Sequence, residues 1–179
     1  MDRLILGKLK LWAKDAESKP LILEGARQIG KTYILNELGS KYFKNYHYIN
    51  FENDSDLGKL FESTLKPQVI LEKLEMNFSF QINPKTDLLI LDEIQTCPRA
   101  LTSLKYFCED MPELKVVAAG SLLGIKLGEA SFPVGKVKFM QMQPMSFQEF
   151  VLALGHSKIY KLLTQINLNN EESFSVIDC

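Results

Sequence analysis

Residues 25–32 combine two glycines, a lysine and a threonine at a spacing that suits the binding of a polyphosphate. The segment reads Gly25-Ala26-Arg27-Gln28-Ile29-Gly30-Lys31-Thr32 and matches the pattern G-x-x-x-x-G-K-[ST] in full. The two glycines permit backbone conformations and close approaches that side chains forbid, so successive N–H groups can turn inward as an anion-binding nest. A helix that begins near Lys31 would add its positive end at the same place. The spacing therefore predicts a phosphate-binding loop.

The polar residues of this loop have distinct predicted roles. The Lys31 ammonium would bridge the β- and γ-phosphates of a nucleotide, and the Thr32 hydroxyl would coordinate magnesium. We extend the predicted nucleotide contacts over all of residues 25–32 and to Tyr33, the next residue of the helix. Arg27 and Gln28 receive no further role from the pattern and are interpreted as loop surface near the nucleotide.

A pair of acids, Asp92 and Glu93, follows directly after the apolar run at residues 88–91. Such a run is typical of a buried strand, which would place Asp92 at its tip. Asp92 would hold magnesium through a water there, since magnesium in such sites takes one or two carboxylates plus phosphate oxygens. Glu93 suits a general base that orients and polarises an attacking water.

Ser121 follows another predicted strand, which Gly120 closes. Its hydroxyl is placed to hydrogen-bond a γ-phosphate or the attacking water, and we count it with Lys31 and Glu93 as a catalytic candidate. The alternative is that Ser121 is only a turn residue after Gly120. The sequence leaves both interpretations open.

A catalytic arginine is harder to assign, because the chain contains only Arg3, Arg27 and Arg99. Arg3 is predicted to lie in the first helix, and Arg27 lies within the loop itself. Arg99 falls at the start of the helix after Glu93, where a structural role is favoured. An arginine finger, if one exists, would come from Arg99, from a partner subunit or from sequence beyond this chain.

The elements that must position these residues alternate between strand and helix, which indicates a mostly parallel sheet with crossover connections. Short apolar runs predict five strands, at residues 21–23, 46–51, 88–91, 115–119 and 137–142. Apolar periodicity, with prolines and Ser146 as start signals, predicts helices at residues 2–17, 31–39, 56–63, 67–78, 98–110 and 146–154, and a loop with several glycines at 122–135. Ligands of parallel sheets bind beyond the carboxyl ends of the strands, where all three candidate segments fall.

The composition is that of an ordinary globular domain and excludes several functional classes. The chain has 179 residues, a formal net charge of −1 and 46% hydrophobic residues, so no excess of positive charge indicates nucleic acid. Cys97, Cys108 and Cys179 form no C-x-x-C pair, which argues against a disulfide framework or a zinc site. His47 and His156 stand alone. No apolar run approaches the length of a membrane span, and we expect a cytoplasmic location.

Four segments together resemble the motifs of a group of prokaryotic AAA-type ATPases. They are residues 25–32, Leu91-Asp92-Glu93-Ile94-Gln95 followed by Pro98, Ala119-Gly120-Ser121, and Gln143-Pro144-Met145-Ser146-Phe147-Gln148-Glu149-Phe150, which is similar to a PLSFxEF signature. The four segments occur in the family's order between about Leu4 and Leu154.

The resemblance implies the fold and the ligands. The implied fold is a P-loop NTPase three-layer α/β/α sandwich with a mostly parallel five-stranded sheet, and the implied ligands are ATP and Mg²⁺. Residues 1–160 would be the ATPase core, including the N-terminal helix. Residues 161–179 would be a polar tail, at the start of a further C-terminal region that the family normally carries, and weak order is expected from about residue 164. Gly135-Lys136 stands where the family usually has Gly-Arg, which removes a plausible sensing or catalytic arginine.

The favoured hypothesis is hydrolysis of ATP to ADP and phosphate, driving a conformational change in an unknown client. Movement would be local to residues 93–98 and 121–135. The main alternative is a nucleotide-binding module without useful turnover. A small-molecule kinase is disfavoured because no arginine-rich lid is evident, and a GTPase because no Asn-Lys-x-Asp tetrapeptide occurs. The sequence leaves the oligomeric state open.

Overall fold

A parallel sheet of five strands forms the centre of the fold, and its strand order places the first strand of the chain inside the sheet. The computed structural model describes residues 3–53, 55–121, 133 and 135–163. Within these residues the sheet has the order β2-β3-β4-β1-β5, and every pairing is parallel. The strands are β1 (Leu21–Glu24), β2 (Tyr46–Asn50), β3 (Leu88–Asp92), β4 (Lys115–Gly120) and β5 (Lys138–Gln141).

Helices cover both faces of this sheet, as the predicted three-layer α/β/α arrangement requires. The helices with defined bounds are α1 (Ile5–Lys14), α2 (Lys31–Tyr42), α3 (Ser55–Ser63), α4 (Pro67–Phe78), α5 (Pro98–Asp110) and α6 (Phe147–Ala153), and a 3₁₀ turn spans Ile94–Thr96. Residues 157–163 are also helical. None of the helices in the described ranges is long and apolar enough to cross a membrane.

The central strands are buried on both faces because their side chains alternate between two apolar cores. Leu88 and Ile90 of β3 pack in the core under α1 and α2, which includes Trp12. Leu89 and Leu91 of the same strand pack in the core under α3, α4 and α5. This alternation fixes the register, since a slip of one residue would exchange the two faces. It therefore also fixes where Asp92 leaves the end of β3.

Several predicted helix starts are confirmed by the structure. Pro67 and Pro98 each occupy the first turn of their helices, where the missing N–H costs nothing. Ser146 caps α6 through a capping box, in which its side chain accepts from the Glu149 amide and the Glu149 carboxylate accepts from the Ser146 amide.

The predicted boundaries of the first helix were wrong. α1 spans Ile5–Lys14 rather than residues 2–17, so Arg3 precedes the helix instead of lying in it. Just before the helix, the Arg3 side chain and the Leu4 amide donate to Glu149. At its other end, the extended backbone of Asp15, with φ of −75° and ψ of 111°, stops the helix at Lys14. Most of the loop predicted at residues 122–135 and the tail predicted to be weakly ordered from residue 164 lie outside the described residues.

Candidate functional site

The loop between β1 and α2 has the backbone shape of an anion-binding nest. Gln28 and Gly30 both adopt left-handed conformations, with φ of 62° and 92°, and Ile29 lies between them. Glycine adopts a positive φ without steric strain, whereas glutamine rarely does, so the backbone is locally strained at Gln28. Alternation of this kind turns consecutive N–H groups toward one side. Gly30 also begins α2, whose positive end faces the same side.

Gly25 is required by a close approach of the chain to itself. A Cβ at residue 25 would lie 2.5 Å from the carbonyl oxygen of Met142 and 2.6 Å from the Cδ1 atom of Ile29. The carbonyl belongs to the segment directly after β5, and the Met142 amide donates to the Glu24 carbonyl at 2.7 Å. The first glycine of the motif therefore lets the end of β5 pack against the base of the loop.

Lys31 is folded back over the loop with its ammonium inside it. The residue is 6% exposed, and its Nζ donates to the carbonyl oxygens of Gly25 at 3.0 Å and Ala26 at 2.8 Å. Burial lowers the pKa of the Lys31 ammonium, while the nearby carboxylates of Glu93 and Asp92 act to raise it. The Lys31 ammonium is thus held at the loop by two carbonyl oxygens, close to the carboxylates of Asp92 and Glu93.

Thr32 connects the loop to the acidic end of β3. Its Oγ1 donates to Oδ2 of Asp92 at 2.6 Å, and Asp92 is 1% exposed. Two further donors fix that carboxylate: the Tyr48 hydroxyl at 2.7 Å from Oδ2 and the Glu93 amide at 2.9 Å from Oδ1. Burial, reinforced by the hydrogen bond to Asp92, raises the pKa of Tyr48 to about 12, so the phenol remains a donor.

The side chain of Gln95 links Glu93 to Ser121 through two hydrogen bonds. The Gln95 Nε2 donates to a carboxylate oxygen of Glu93, and its Oε1 accepts from the Ser121 amide at 3.3 Å. Glu93 itself has a φ of 53°, an uncommon left-handed conformation for a non-glycine residue. The Gln95 side chain therefore couples the end of β3 to the end of β4.

A cavity of about 470 Å³ opens beside the loop, within the size range of small-molecule sites. Its wall includes Gly25, Ala26 and Arg27 of the loop together with Ser121 and Pro144. Arg27 is exposed, and its Nη2 lies 3.5 Å from Oε1 of Glu52. Ser121 thus borders the same space as the start of the loop.

The other two arginines are anchored to backbone carbonyls. Arg3 is buried against Glu149, with Nε 3.1 Å from Oε1 of that residue, and its Nη1 donates to the carbonyl of Ile29 at 3.0 Å. The Nε of Arg99 donates to the carbonyl of Phe61 at 3.2 Å, in keeping with the favoured structural role. Lys136, at the position where an arginine is usual, pairs with Glu109 at 2.9 Å.

The oxygen donors near the loop fit a magnesium ion better than a metal that needs several protein ligands. The Thr32 hydroxyl and the Asp92 carboxylate are hydrogen-bonded to each other beside the loop. Magnesium prefers such hard oxygen donors together with phosphate oxygens. Across residues 3–53, 55–121, 133 and 135–163, no group of three or more His, Cys, Asp or Glu side chains is arranged to hold a metal by itself.

Sequence reasoning missed three of the residues that hold this site. Tyr48 and Asn50 lie at the end of β2, paired with Ile90 and Asp92 of β3, and the Asn50 Nδ2 donates to the Tyr48 hydroxyl at 3.1 Å. Polar residues at the end of that strand were the available signal. Arg3 gave no signal, because its partners lie far along the chain. Tyr33, predicted among the nucleotide contacts, is 54% exposed beside the loop.

Comparison with known proteins places these features in a family. A family model described as an AAA domain matches residues 17–151. The uncharacterized protein MJ1637 of Methanocaldococcus jannaschii is 24% identical over 169 residues, which cover 91% of this chain and 34% of that protein. The chain therefore spans about a third of the length of this curated relative.

Of two solved structures compared with the chain, the first shares its fold. The Walker-type ATPase PABY2304 of Pyrococcus abyssi superposes with a TM-score of 0.53 at 19% identity, covering 87% of this chain and 57% of that one. PCH-2 of C. elegans gives a TM-score of 0.47 at 14% identity, covering 85% and 46%. The first of these likenesses supports the P-loop ATPase fold that the strand order and the loop already indicate.

Proposed function

The chain belongs to the AAA domain family, and from that premise we propose that it binds ATP with Mg²⁺ at residues 25–33 and hydrolyses the γ-phosphate. The observation that carries the proposal is the 2.6 Å hydrogen bond between the Thr32 hydroxyl and the Asp92 carboxylate. It joins the end of the phosphate-binding loop to the acid at the tip of β3, as a site for nucleotide and magnesium requires.

The loop supplies the affinity for phosphate. The N–H groups at residues 28–32 and the positive end of α2 would hold the phosphate oxygens, and Lys31 would leave its two carbonyl partners to meet the β- and γ-phosphates. Thr32 and Asp92 would hold the magnesium ion. When bound, Mg²⁺ neutralises charge on the β- and γ-phosphate oxygens.

Glu93 would act on the attacking water. Its position directly after Asp92 places a carboxylate at the phosphate end of the site, where a general base can accept the proton of the water. In the structure the carboxylate is held by Gln95, which also binds the Ser121 amide. We propose that the water displaces Gln95 from Glu93, and that Ser121 reports the presence of the γ-phosphate.

Binding is tested by titrating the protein with ATP and GTP, with Mg²⁺ and then with a chelator. ATP should bind, and Lys31→Ala should abolish binding because the buried ammonium is removed. Lys115→Ala is a matched control, since the Lys115 side chain is also partly buried and its ammonium donates to the carbonyl of Asp15, but at the opposite end of the sheet. Equal ATP affinity in wild type and Lys31→Ala would reject the proposed site.

A nucleotide-binding module without useful turnover is the second candidate, and the placement of the arginines favours it. Arg3 and Arg99 are both anchored to backbone carbonyls, and Arg27 faces Glu52 at the surface. The contacts of these three arginines therefore do not identify any of them as the residue that stabilises transition-state charge on the phosphate. Phosphate release at saturating ATP separates the two candidates: a rate equal to that of Glu93→Gln would favour the module.

The consequence of turnover would be a local rearrangement that is transmitted to a protein client in a cytoplasmic setting. Residues 93–98 connect Glu93 to the start of α5 and contact Ser121 through Gln95, so loss of the γ-phosphate would be felt there first. Limited proteolysis with and without ATP would detect the change, and an unchanged digestion pattern would argue against it.

A further inference from the structure

Arg3 connects four segments that lie far apart in the sequence. Its guanidinium donates through Nη1 to the carbonyl of Ile29 at 3.0 Å and through Nη2 to the carbonyl of Gln143 at 2.7 Å. Its Nε donates to Oε1 of Glu149 at 3.1 Å, with both side chains less than a tenth exposed. One buried side chain therefore ties the start of α1, the phosphate-binding loop, the exit of β5 and helix α6 together.

The contact with Ile29 has a consequence for the next residue of the loop. The peptide bond is planar and trans, so the carbonyl of Ile29 and the N–H of Gly30 point in opposite directions. With the carbonyl held by Arg3, the Gly30 N–H must face away from Arg3. Gly30 has no side chain and a φ of 92°, so its own preferences do little to fix this peptide plane.

Glu149 keeps the Arg3 guanidinium in place. Its Oε1 accepts from Arg3 and from the Leu4 amide at 2.9 Å, and its Oε2 accepts from the Ser146 amide at 3.0 Å. Burial acts to raise the pKa of Glu149, but these hydrogen bonds outweigh it and leave the pKa below its usual value. The carboxylate is therefore charged and fully engaged near neutral pH.

A buried ion pair of this kind contributes little net free energy to folding. Desolvation of two charges can exceed their mutual attraction, and apolar residues of similar size often serve stability as well. Such pairs are better explained where they fix one geometry. The planar fork of Arg3 meets acceptors from three segments at once, which the single ammonium of a lysine cannot do with the same directions.

We propose that Arg3, held by Glu149, is a positioning residue of the phosphate-binding loop: it sets the direction of the Ile29–Gly30 peptide and so aims the Gly30 N–H at the bound phosphate. The proposal deepens the proposed function and rests on it, because the aimed N–H matters only if the loop binds a polyphosphate. It also gives the helix α6 a direct mechanical connection to the nucleotide site.

The test is Arg3→Lys, which keeps a positive charge beside Glu149 but loses the fork. ATP affinity, measured by titration well below the melting temperature of each variant, should fall by about 10- to 100-fold, the range for one hydrogen bond to a charged group. Asp87→Asn is the control, because it alters another buried charged residue, which lies just before β3 at the opposite end of the sheet. This variant should melt earlier and bind ATP as wild type does.

Two further measurements separate positioning from plain stabilisation. Glu149→Gln should weaken ATP binding, and combining it with Arg3→Lys should add little, since both act on one contact. In the nucleotide-free protein, the amide resonance of Gly30 should shift in Arg3→Lys and stay in place in Asp87→Asn. This second readout needs no nucleotide, so it remains decisive if the wild-type protein fails to bind ATP.

Wild-type ATP affinity and an unmoved Gly30 amide in a folded Arg3→Lys variant would overturn the proposal and leave the proposed function intact. Loss of ATP binding in Lys31→Ala, with binding retained in wild type, tests the proposed nucleotide site independently of Arg3, and phosphate release tests hydrolysis. Additive losses in the double variant would also count against the proposal, because they would mean that Arg3 and Glu149 act separately.

Discussion

The Thr32 hydroxyl donates to Oδ2 of Asp92 at 2.6 Å, across 60 residues of sequence. Each residue belongs to a different element, Thr32 to the first turn of α2 and Asp92 to the last position of β3. The contact requires α2 to begin at the edge of the sheet where β3 ends, and it brings the two predicted magnesium donors together.

Glu93→Gln should preserve ATP binding and slow hydrolysis by about 100-fold or more, the scale of a general base. The amide keeps the shape of the side chain but cannot accept the proton of the water. Phosphate release under saturating ATP, together with a binding titration, measures both effects. Glu52→Gln is the control, because Glu52 is a nearby surface acid that pairs with Arg27. Turnover at the wild-type rate in Glu93→Gln would exclude Glu93 as the base.

Tyr48→Phe should raise the Mg²⁺ concentration needed for ATP binding without abolishing binding. The change removes the 2.7 Å hydrogen bond to Asp92, and loss of such a supporting partner typically lowers metal affinity about 10- to 100-fold. Titration of Mg²⁺ at fixed ATP measures the shift. Tyr46→Phe, on the same strand but partly exposed, should behave as wild type. An unchanged Mg²⁺ midpoint in Tyr48→Phe would show that Asp92 needs no support from the phenol.

Gly25→Ala should destabilise the fold by about 1–3 kcal/mol, the usual cost of overpacking. The added methyl would lie 2.5 Å from the Met142 carbonyl, which is backbone and cannot rotate away. The loop or the end of β5 must shift, so ATP affinity should fall as well. Denaturant unfolding and an ATP titration measure the two effects.

Gly7→Ala is the control for Gly25→Ala. Gly7 lies within α1, and a Cβ there would meet nothing within 4 Å. Alanine in a helix should stabilise by about 0.5–1 kcal/mol. If Gly25→Ala were as stable as wild type, the close approach of Met142 would not constrain the loop in solution.

Stability should fall in acid as Asp87 becomes protonated. Burial acts to raise the pKa of Asp87, but hydrogen bonds from the Asn83 amide and from His47, Thr86 and Asn45 outweigh it, so the folded pKa lies below its usual value. A lowered acid pKa gives stability that is complete above the unfolded pKa of about 3.9 and is lost as the pH falls through the folded pKa.

The measurement is the free energy of unfolding from pH 7 down to acid, in wild type and Asp87→Asn. Wild type should lose stability below about pH 4, where the unfolded chain begins to bind the proton. The variant should be less stable at pH 7, and its free energy of unfolding should fall less steeply as the pH is lowered into the acid range. Identical acid limbs in the two proteins would assign the loss to other carboxylates.

The strands and most helix starts were predictable because local signals coincide with buried positions. The run at residues 88–91 is buried throughout, and the capping box at Ser146 and Glu149 forms as predicted. The contact of Glu149 with Arg3 could not be predicted, because the two residues are 146 positions apart and no local sequence pattern relates them. Tyr48 was hidden for a similar reason, because its partner Asp92 becomes a neighbour only when β2 pairs with β3.

The strand order has a consequence for how the protein is made. β1 leaves the ribosome before the other strands, yet its neighbours in the sheet are β4 and β5, which are translated roughly a hundred residues later. Nascent chains that stop before residue 115 therefore carry the whole phosphate motif without the strands that flank it. Competence to bind nucleotide should therefore arise late in synthesis, when β4 and β5 pair with β1.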